Sequence, residues 1–120
     1  MKILVVGDCH GKIPSIDEEA SNADIIIATG DICGDSDEMR EAMFKSIDSE
    51  QEWYDILGRD EARKSVQKSL EEGEEVLDYL NGFGKPVLLV PGNWDWIGGS
   101  DWEMLEENRF QQLVNSFENI

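Results

Sequence analysis

The sequence predicts an α/β fold in which a small parallel sheet is layered by helices. Three apolar, β-branched runs indicate strands, at residues 2–7, 24–30 and 85–91. Each run is apolar continuously rather than alternately, which is the pattern of strands covered on both faces. Because crossover connections are right-handed, the three strands are expected to be parallel neighbours.

The segments between the predicted strands have the features of helices. In residues 14–20, Pro14 stands at the start and acidic residues fill the first turn, where they interact favourably with the helix dipole. Residues 37–82 contain no proline, and Gly58 followed by Asp60 divides them into two predicted helices. The second of these has apolar residues at helical spacing on one face: Val66, Leu70, Val76, Leu77 and Leu80.

A last helix is predicted after the third strand, with Ser100 or Asp101 as its cap. Its apolar side carries Trp102, Leu105, Phe110, Leu113, Val114 and Phe117. This apolar helix has to pack on something, yet no fourth strand follows it. We therefore expect residues 1–120 to form a single domain that is incomplete at its C-terminus.

Composition excludes several classes of function. The 27 acidic and 10 basic residues give a net charge of -17, which repels polyanions and argues against nucleic acid as a partner. No apolar run approaches the roughly 20 residues of a membrane span, so no membrane association is expected. The two cysteines, Cys9 and Cys33, are too few for a disulfide framework and suit a reducing compartment. These features predict a cytoplasmic protein.

A short polar loop follows each predicted strand: GDCHG at residues 7–11, GDICGD at 30–35 and GNWD at 92–95. Parallel sheets place ligand sites outside the carboxyl ends of their strands. We therefore expect the side chains of Asp8, His10, Asp31 and Asn93 to converge in one crevice, where their oxygen and imidazole donors suit a divalent metal. Any one loop could be an ordinary Gly-Asp turn, but three in series favour a site.

These loops resemble those of the calcineurin-like metallophosphoesterases, which carry Asp-x-His, Gly-Asp and Gly-Asn-His-Asp/Glu after successive strands. The resemblance implies a layered αββα sandwich, of which this chain covers the front half. It further implies that Asp8 and His10 bind one metal, that Asp31 bridges two metals, and that Asn93 binds the second. On the same resemblance, Asp31 and Asn93 are the catalytic residues.

The chain departs from the family pattern in two ways. The family adds two histidine-bearing loops, but His10 is the only histidine here, so a partner segment or a homo-oligomer is expected to complete the site. Trp94 also stands where the family has the histidine of Gly-Asn-His, a loss that is common in a phosphodiesterase-like branch with Gly-Asn-x-Asp loops. Trp94 either stacks on a base or lines the cleft, or it is, with Trp96, a packing aromatic.

The resemblance implies hydrolysis of phosphodiesters or activated phosphate esters by two metals, acting on a small phosphate ester or a nucleotide. In such sites two cations about 3.5 to 4 Å apart share a hydroxide and neutralise the phosphoryl oxygens. The ligand types do not distinguish Mn, Fe, Zn or Ni. The alternative hypothesis is a non-catalytic, metal- or nucleotide-binding relic that keeps only the front loops.

Overall fold

The computed structural model describes residues 1–95 and 109–120, in which a three-stranded parallel sheet is combined with helices. The strands are β1 (Ile3–Val6), β2 (Ile25–Ala28) and β3 (Val87–Leu89), and their order in the sheet is β1-β2-β3. Both neighbouring pairs are parallel. The α/β class and the parallel arrangement are therefore confirmed, and each strand lies inside the run that predicted it.

Five α-helices and one 3-10 turn occupy the described residues. They are α1 (Asp17–Asn22), α2 (Asp37–Ser46), α3 (Trp53–Leu57), α4 (Arg59–Asn81), the 3-10 turn (Asn93–Asp95) and α5 (Arg109–Asn115). Gly58 separates α3 from α4 with a φ of 100°, a conformation that glycine adopts without steric cost. The division predicted at Gly58 is thus confirmed.

Two helix predictions need correction. The first helix begins at Asp17, because Pro14 lies in a preceding turn where its carbonyl accepts the Ile16 N–H. The region before Gly58 forms two helices, α2 and α3, instead of one. In the last residue of α2 the Ser46 hydroxyl donates to a backbone carbonyl, and between the two helices the Ser49 hydroxyl accepts a backbone N–H. Such local side-chain bonds compete with helix continuation.

The apolar face predicted for α4 lies in the core. Its five apolar residues are all buried, and they belong to one cluster with Ile26 and Val87 of the sheet. In α5, Phe110 is buried in the same cluster. The predicted cap of this last helix, Ser100 or Asp101, and its residues Trp102 and Leu105 lie outside the described residues. No helix in the described part of the chain is long and apolar enough to cross a membrane.

One face of the sheet is left exposed by the elements that the structure describes, contrary to the prediction that both faces are covered. The register aligns Val5 with Ile27 and Ile27 with Leu88, so these side chains share a face. Val5 and Leu88 are 60% and 57% exposed, and Ile3 on the same face is 54% exposed. The strand residues buried in the core cluster, Val6, Ile26, Ala28 and Val87, lie on the opposite face. An apolar run shows that a strand is suited to burial, but it does not show which element covers the strand. An exposed apolar face is what the front half of a two-sheet sandwich presents.

Helix α4 supports the loop that follows β2. The Gly34 N–H donates to the Ser69 carbonyl at 3.0 Å, and the Ser69 hydroxyl donates to the Gly34 carbonyl at 2.5 Å. One turn further along α4, Gly73 lies against Cys33, where an added Cβ would stand 2.8 Å from the Cys33 Sγ and 3.1 Å from its Cα. The absence of a side chain at Gly73 therefore permits the helix to approach this loop closely.

We expect Gly73→Ala to destabilise the protein by about 1 kcal/mol, because overpacking outweighs the higher helix propensity of alanine. Urea unfolding measures the change. In a Cys33→Ala background the same substitution should cost less, since the closest atom is gone. Stabilisation by Gly73→Ala in the otherwise unchanged chain would contradict this packing argument.

Candidate metal centre

The loops after β1 and β2 lie side by side and are joined through their backbones. The His10 N–H donates to the Asp31 carbonyl at 2.8 Å, and the Gly11 N–H donates to the Ile32 carbonyl at the same distance. The Asp8 N–H donates to the Gly30 carbonyl at 3.3 Å. These bonds continue the pairing of β1 with β2 past the ends of the strands, so the two loops leave the sheet together.

This arrangement brings three of the predicted ligands together. Asp8, His10 and Asp31 each offer a ligand atom, and these atoms all lie within 4.8 Å of one another. Asp8 is exposed, whereas His10 and Asp31 are partly buried. Two carboxylates and an imidazole at this separation can coordinate one divalent cation. The residues therefore fit the metal that the resemblance implies.

The backbone at the three candidate ligands is strained. Asp8, His10 and Asp31 have φ angles of 54°, 47° and 53°, and they are the non-glycine residues with positive φ in the described chain. A left-handed conformation costs an L-residue about 1–2 kcal/mol, somewhat less for Asp. Such strain persists where the surrounding structure imposes it, and it is concentrated at functional sites. Here it coincides with the residues whose side chains converge.

Asp95 connects the loop after β3 to the loop after β2, and the sequence analysis gave it no role. Its carboxylate is fully buried and accepts four backbone N–H groups. Three belong to the loop after β2, with N···O distances of 3.0 Å from Asp31, 2.9 Å from Ile32 and 3.0 Å from Cys33. The fourth comes from Gly92 at 2.7 Å. The available signal was the acidic residue in the last position of GNWD, where the family pattern has Asp or Glu.

The 3-10 turn places Asn93 next to the same loop. The backbone N–H of Trp94, the residue after Asn93, donates to Asp31 Oδ1 at 3.0 Å and so orients the Asp31 carboxylate. Asn93 itself is exposed. The assignment of Asn93 to a second metal, the bridging role of Asp31 and the catalytic roles of both residues stay predictions.

The cysteines beside the candidate ligands are buried and free. Burial raises the pKa of the Cys33 thiol far above its ordinary value, and the neighbouring Asp95 carboxylate raises that pKa further. Burial, followed by the charge of Asp8, likewise raises the pKa of the Cys9 thiol. In the structure as described, both cysteines are therefore neutral thiols that fill space between the loops.

Trp94 packs partly buried against the core, and its ring also lies beside one candidate ligand, His10. The indole contacts the His10 ring edge-on, with 6.2 Å between ring centroids. The Arg40 guanidinium lies over the indole at 5.8 Å, and Asp35 accepts hydrogen bonds from Arg40 while its Oδ2 is 3.9 Å from His10 Nδ1. Trp94 therefore both packs on the core and borders the site, while Trp96 lies outside the described residues.

Comparison with known protein families gives a match that extends over the whole chain. A family model described as calcineurin-like phosphoesterase matches residues 1–120. Neither a curated protein nor a solved structure matches the chain. The matched range includes all three loops and so agrees with the resemblance that their residues carry.

We expect Asp95→Asn to destabilise the protein by about 3 kcal/mol, because an amide removes the charge and turns an NH₂ group toward buried N–H donors. The matched control is Asp60→Asn, at an exposed carboxylate 3.8 Å from Arg63, which should change stability by less than about 0.5 kcal/mol. Chemical denaturation of both variants measures the difference. Equal effects would show that the Asp95 network does not hold the loops together.

Mn²⁺ should raise the melting temperature by about 5 °C at roughly ten times its dissociation constant, because it neutralises the clustered carboxylates of the folded state. Asp31→Asn should abolish most of this shift. Asp78→Asn, at an exposed position of α4, should leave it unchanged. Thermal melting with and without Mn²⁺ tests the site, and an equal shift in Asp31→Asn would exclude a specific cation there.

Proposed function

This chain belongs to the calcineurin-like phosphoesterase family, and we propose that it hydrolyses phosphodiesters or activated phosphate esters in a metal-dependent reaction. The observation that carries the proposal is the convergence of the Asp8, His10 and Asp31 ligand atoms within 4.8 Å at the carboxyl end of the sheet. The strained backbone at these three residues supports it, because such strain is retained where side chains must be aimed. A small phosphate ester or a nucleotide is the proposed substrate.

The proposed site holds two divalent cations, and the ligand types do not distinguish Mn, Fe, Zn or Ni. When bound, such a pair supplies a hydroxide near neutral pH and neutralises charge on the phosphoryl oxygens. Asp8 and His10 hold the first cation in this proposal, Asp31 bridges, and Asn93 holds the second. The Trp94 N–H orients the Asp31 carboxylate for this task.

Four candidate ligands leave two cations with few protein donors each. We propose that a partner segment or a second copy of the chain supplies further ligands. The uncovered apolar face that includes Val5 and Leu88 supports additional packing on the sheet. We also propose a cytoplasmic location. It is supported by the two cysteines, which are free and buried, because unpaired cysteines suit a reducing compartment.

The indole of Trp94 limits the chemistry available at the site. Trp94 lies against His10, at the place where the family has an imidazole that assists the leaving group, and an indole cannot donate a proton in this pH range. Esters whose leaving groups depart without a proton are therefore favoured. This supports diesters and activated esters over alkyl monoesters as substrates, as in the phosphodiesterase-like branch.

We expect bis-(p-nitrophenyl) phosphate to be hydrolysed at least about tenfold faster than an alkyl phosphomonoester in Mn²⁺, because general acid catalysis contributes factors of this size or more. Asp31→Asn is the control and should abolish both activities. Faster turnover of the alkyl monoester would contradict the leaving-group argument. Inactivity on both esters, with the protein folded and Mn²⁺ bound, would favour the non-catalytic relic.

Trp94→His should raise the alkyl monoesterase activity about tenfold if the absent proton donor limits the reaction. The measurement is kcat for the monoester, compared with kcat for the activated diester, which should change little. Because Trp94 also packs on the core, the melting temperature of the variant has to be recorded alongside. No gain in a folded, Mn²⁺-binding variant would indicate that missing ligands, and not the missing acid, limit the reaction.

A further inference from the structure

Arg40 extends from α2 to the border of the candidate metal centre. Its Nε and Nη2 both donate to Asp35 Oδ2, the first at 2.6 Å. Its Cζ lies 5.8 Å from the centre of the Trp94 ring, which is within the range of a cation–π contact. Asp35 and Trp94 each also contact His10. Two independent contacts therefore hold the guanidinium beside a candidate ligand.

The guanidinium keeps donors available for another partner. Of its five N–H groups, two are directed at Asp35, and no other acceptor among the described residues takes the remaining three. The Arg40 side chain is 56% exposed. A planar fork with free donors at a solvent-exposed edge matches the oxygens of a phosphoryl group, which it can bind through two parallel hydrogen bonds.

The negative charge of the chain increases the importance of a basic side chain beside the site. A net charge of -17 repels anions, and the site itself adds Asp8, Asp31 and Asp35. A phosphate ester that approaches the site is therefore attracted only by bound cations and by nearby basic side chains. Asp35 and Trp94 restrict the Arg40 side chain in advance, so less conformational freedom is lost when an anion binds.

We propose that Arg40 binds the phosphoryl oxygens of the substrate, with Asp35 and Trp94 holding its guanidinium in place; the inference rests on the proposed phosphoesterase function. Arg40 then contributes mainly to substrate binding and not to activation of the nucleophile. Its loss should raise KM more than it lowers kcat. Binding of inorganic phosphate, which presents the same oxygens without a scissile ester, should weaken in parallel.

Arg40→Gln tests the role, and Arg59→Gln is its matched control. Arg59 is also exposed, at 53%, is also paired with a carboxylate, that of Asp55, and also lies over an aromatic ring, that of Tyr54 at 5.2 Å. It begins α4, whereas Arg40 borders the site. The two substitutions therefore remove the same kind of surface contacts, but only Arg40→Gln removes a positively charged side chain from the border of the candidate centre.

With Mn²⁺ present, Arg40→Gln should raise KM for bis-(p-nitrophenyl) phosphate about tenfold and lower kcat less than threefold, the size expected for losing hydrogen bonds to a charged partner. The dissociation constant of inorganic phosphate, measured by calorimetry on the Mn²⁺-loaded protein, should rise by a similar factor. Arg40→Lys should give intermediate values, because it keeps the charge but loses the fork. Arg59→Gln should match the unsubstituted protein in every measurement.

Two further measurements on each variant separate this role from a structural one. The dissociation constant of Mn²⁺ should stay within twofold of that of the unsubstituted protein, and the melting temperature should stay within about 2 °C. Unchanged phosphate affinity in Arg40→Gln, or an equal loss in Arg59→Gln, would overturn the inference while the proposed function stands. If the unsubstituted protein hydrolyses neither ester, the proposed function fails, and phosphate affinity alone decides the role of Arg40. Absence of phosphate binding to the unsubstituted, Mn²⁺-loaded protein would overturn the inference as well.

Discussion

The buried carboxylate of Asp95 is the interaction on which the candidate site depends. The strands have only three or four residues each, so the sheet alone does not fix the loops at its carboxyl end. Asp95 accepts N–H groups from Gly92 in its own loop and from three consecutive residues that begin at Asp31 in the loop after β2. Burying a charge is costly, and these four charge-assisted hydrogen bonds offset the cost only when both loops have this geometry.

The same constraint acts on the strained backbone of two candidate ligands, Asp31 and His10. With its N–H bound to Asp95 and its carbonyl bound to the His10 N–H, Asp31 is fixed on both sides. Asp31 and His10 both have positive φ, and their ligand atoms meet that of Asp8. The fold thus holds like charges close together at a cost in stability, which a bound cation would recover. Stability and metal binding are therefore properties of one network.

Trp94 changes the character of this centre in comparison with the family pattern. An imidazole in its place would offer a titratable proton, whereas the indole makes a T-shaped contact with the His10 ring and presents a face to the Arg40 guanidinium. Asp35 contacts both neighbours of this indole, because it accepts hydrogen bonds from Arg40 and its carboxylate lies near His10. At the border of the site an arginine is thus paired with Asp35, and an indole stands where the family pattern has a titratable imidazole.

Sequence alone determined the parallel strands, the buried face of α4 and the loops that carry Asp8, His10 and Asp31, because apolar runs, helical spacing and Gly-Asp turns are local signals. Only the tertiary structure showed the break between α2 and α3, the exposed apolar face at Val5 and Leu88, and the contacts made by Asp95 and Arg40. The acidic last position of GNWD matches the family pattern, but nothing near Asp95 in sequence identifies its hydrogen-bond partners, since Ile32 and Cys33 lie 63 and 62 residues away. Contacts at that separation exist only after the chain folds, when burial removes water as the competing partner and makes each hydrogen bond obligatory.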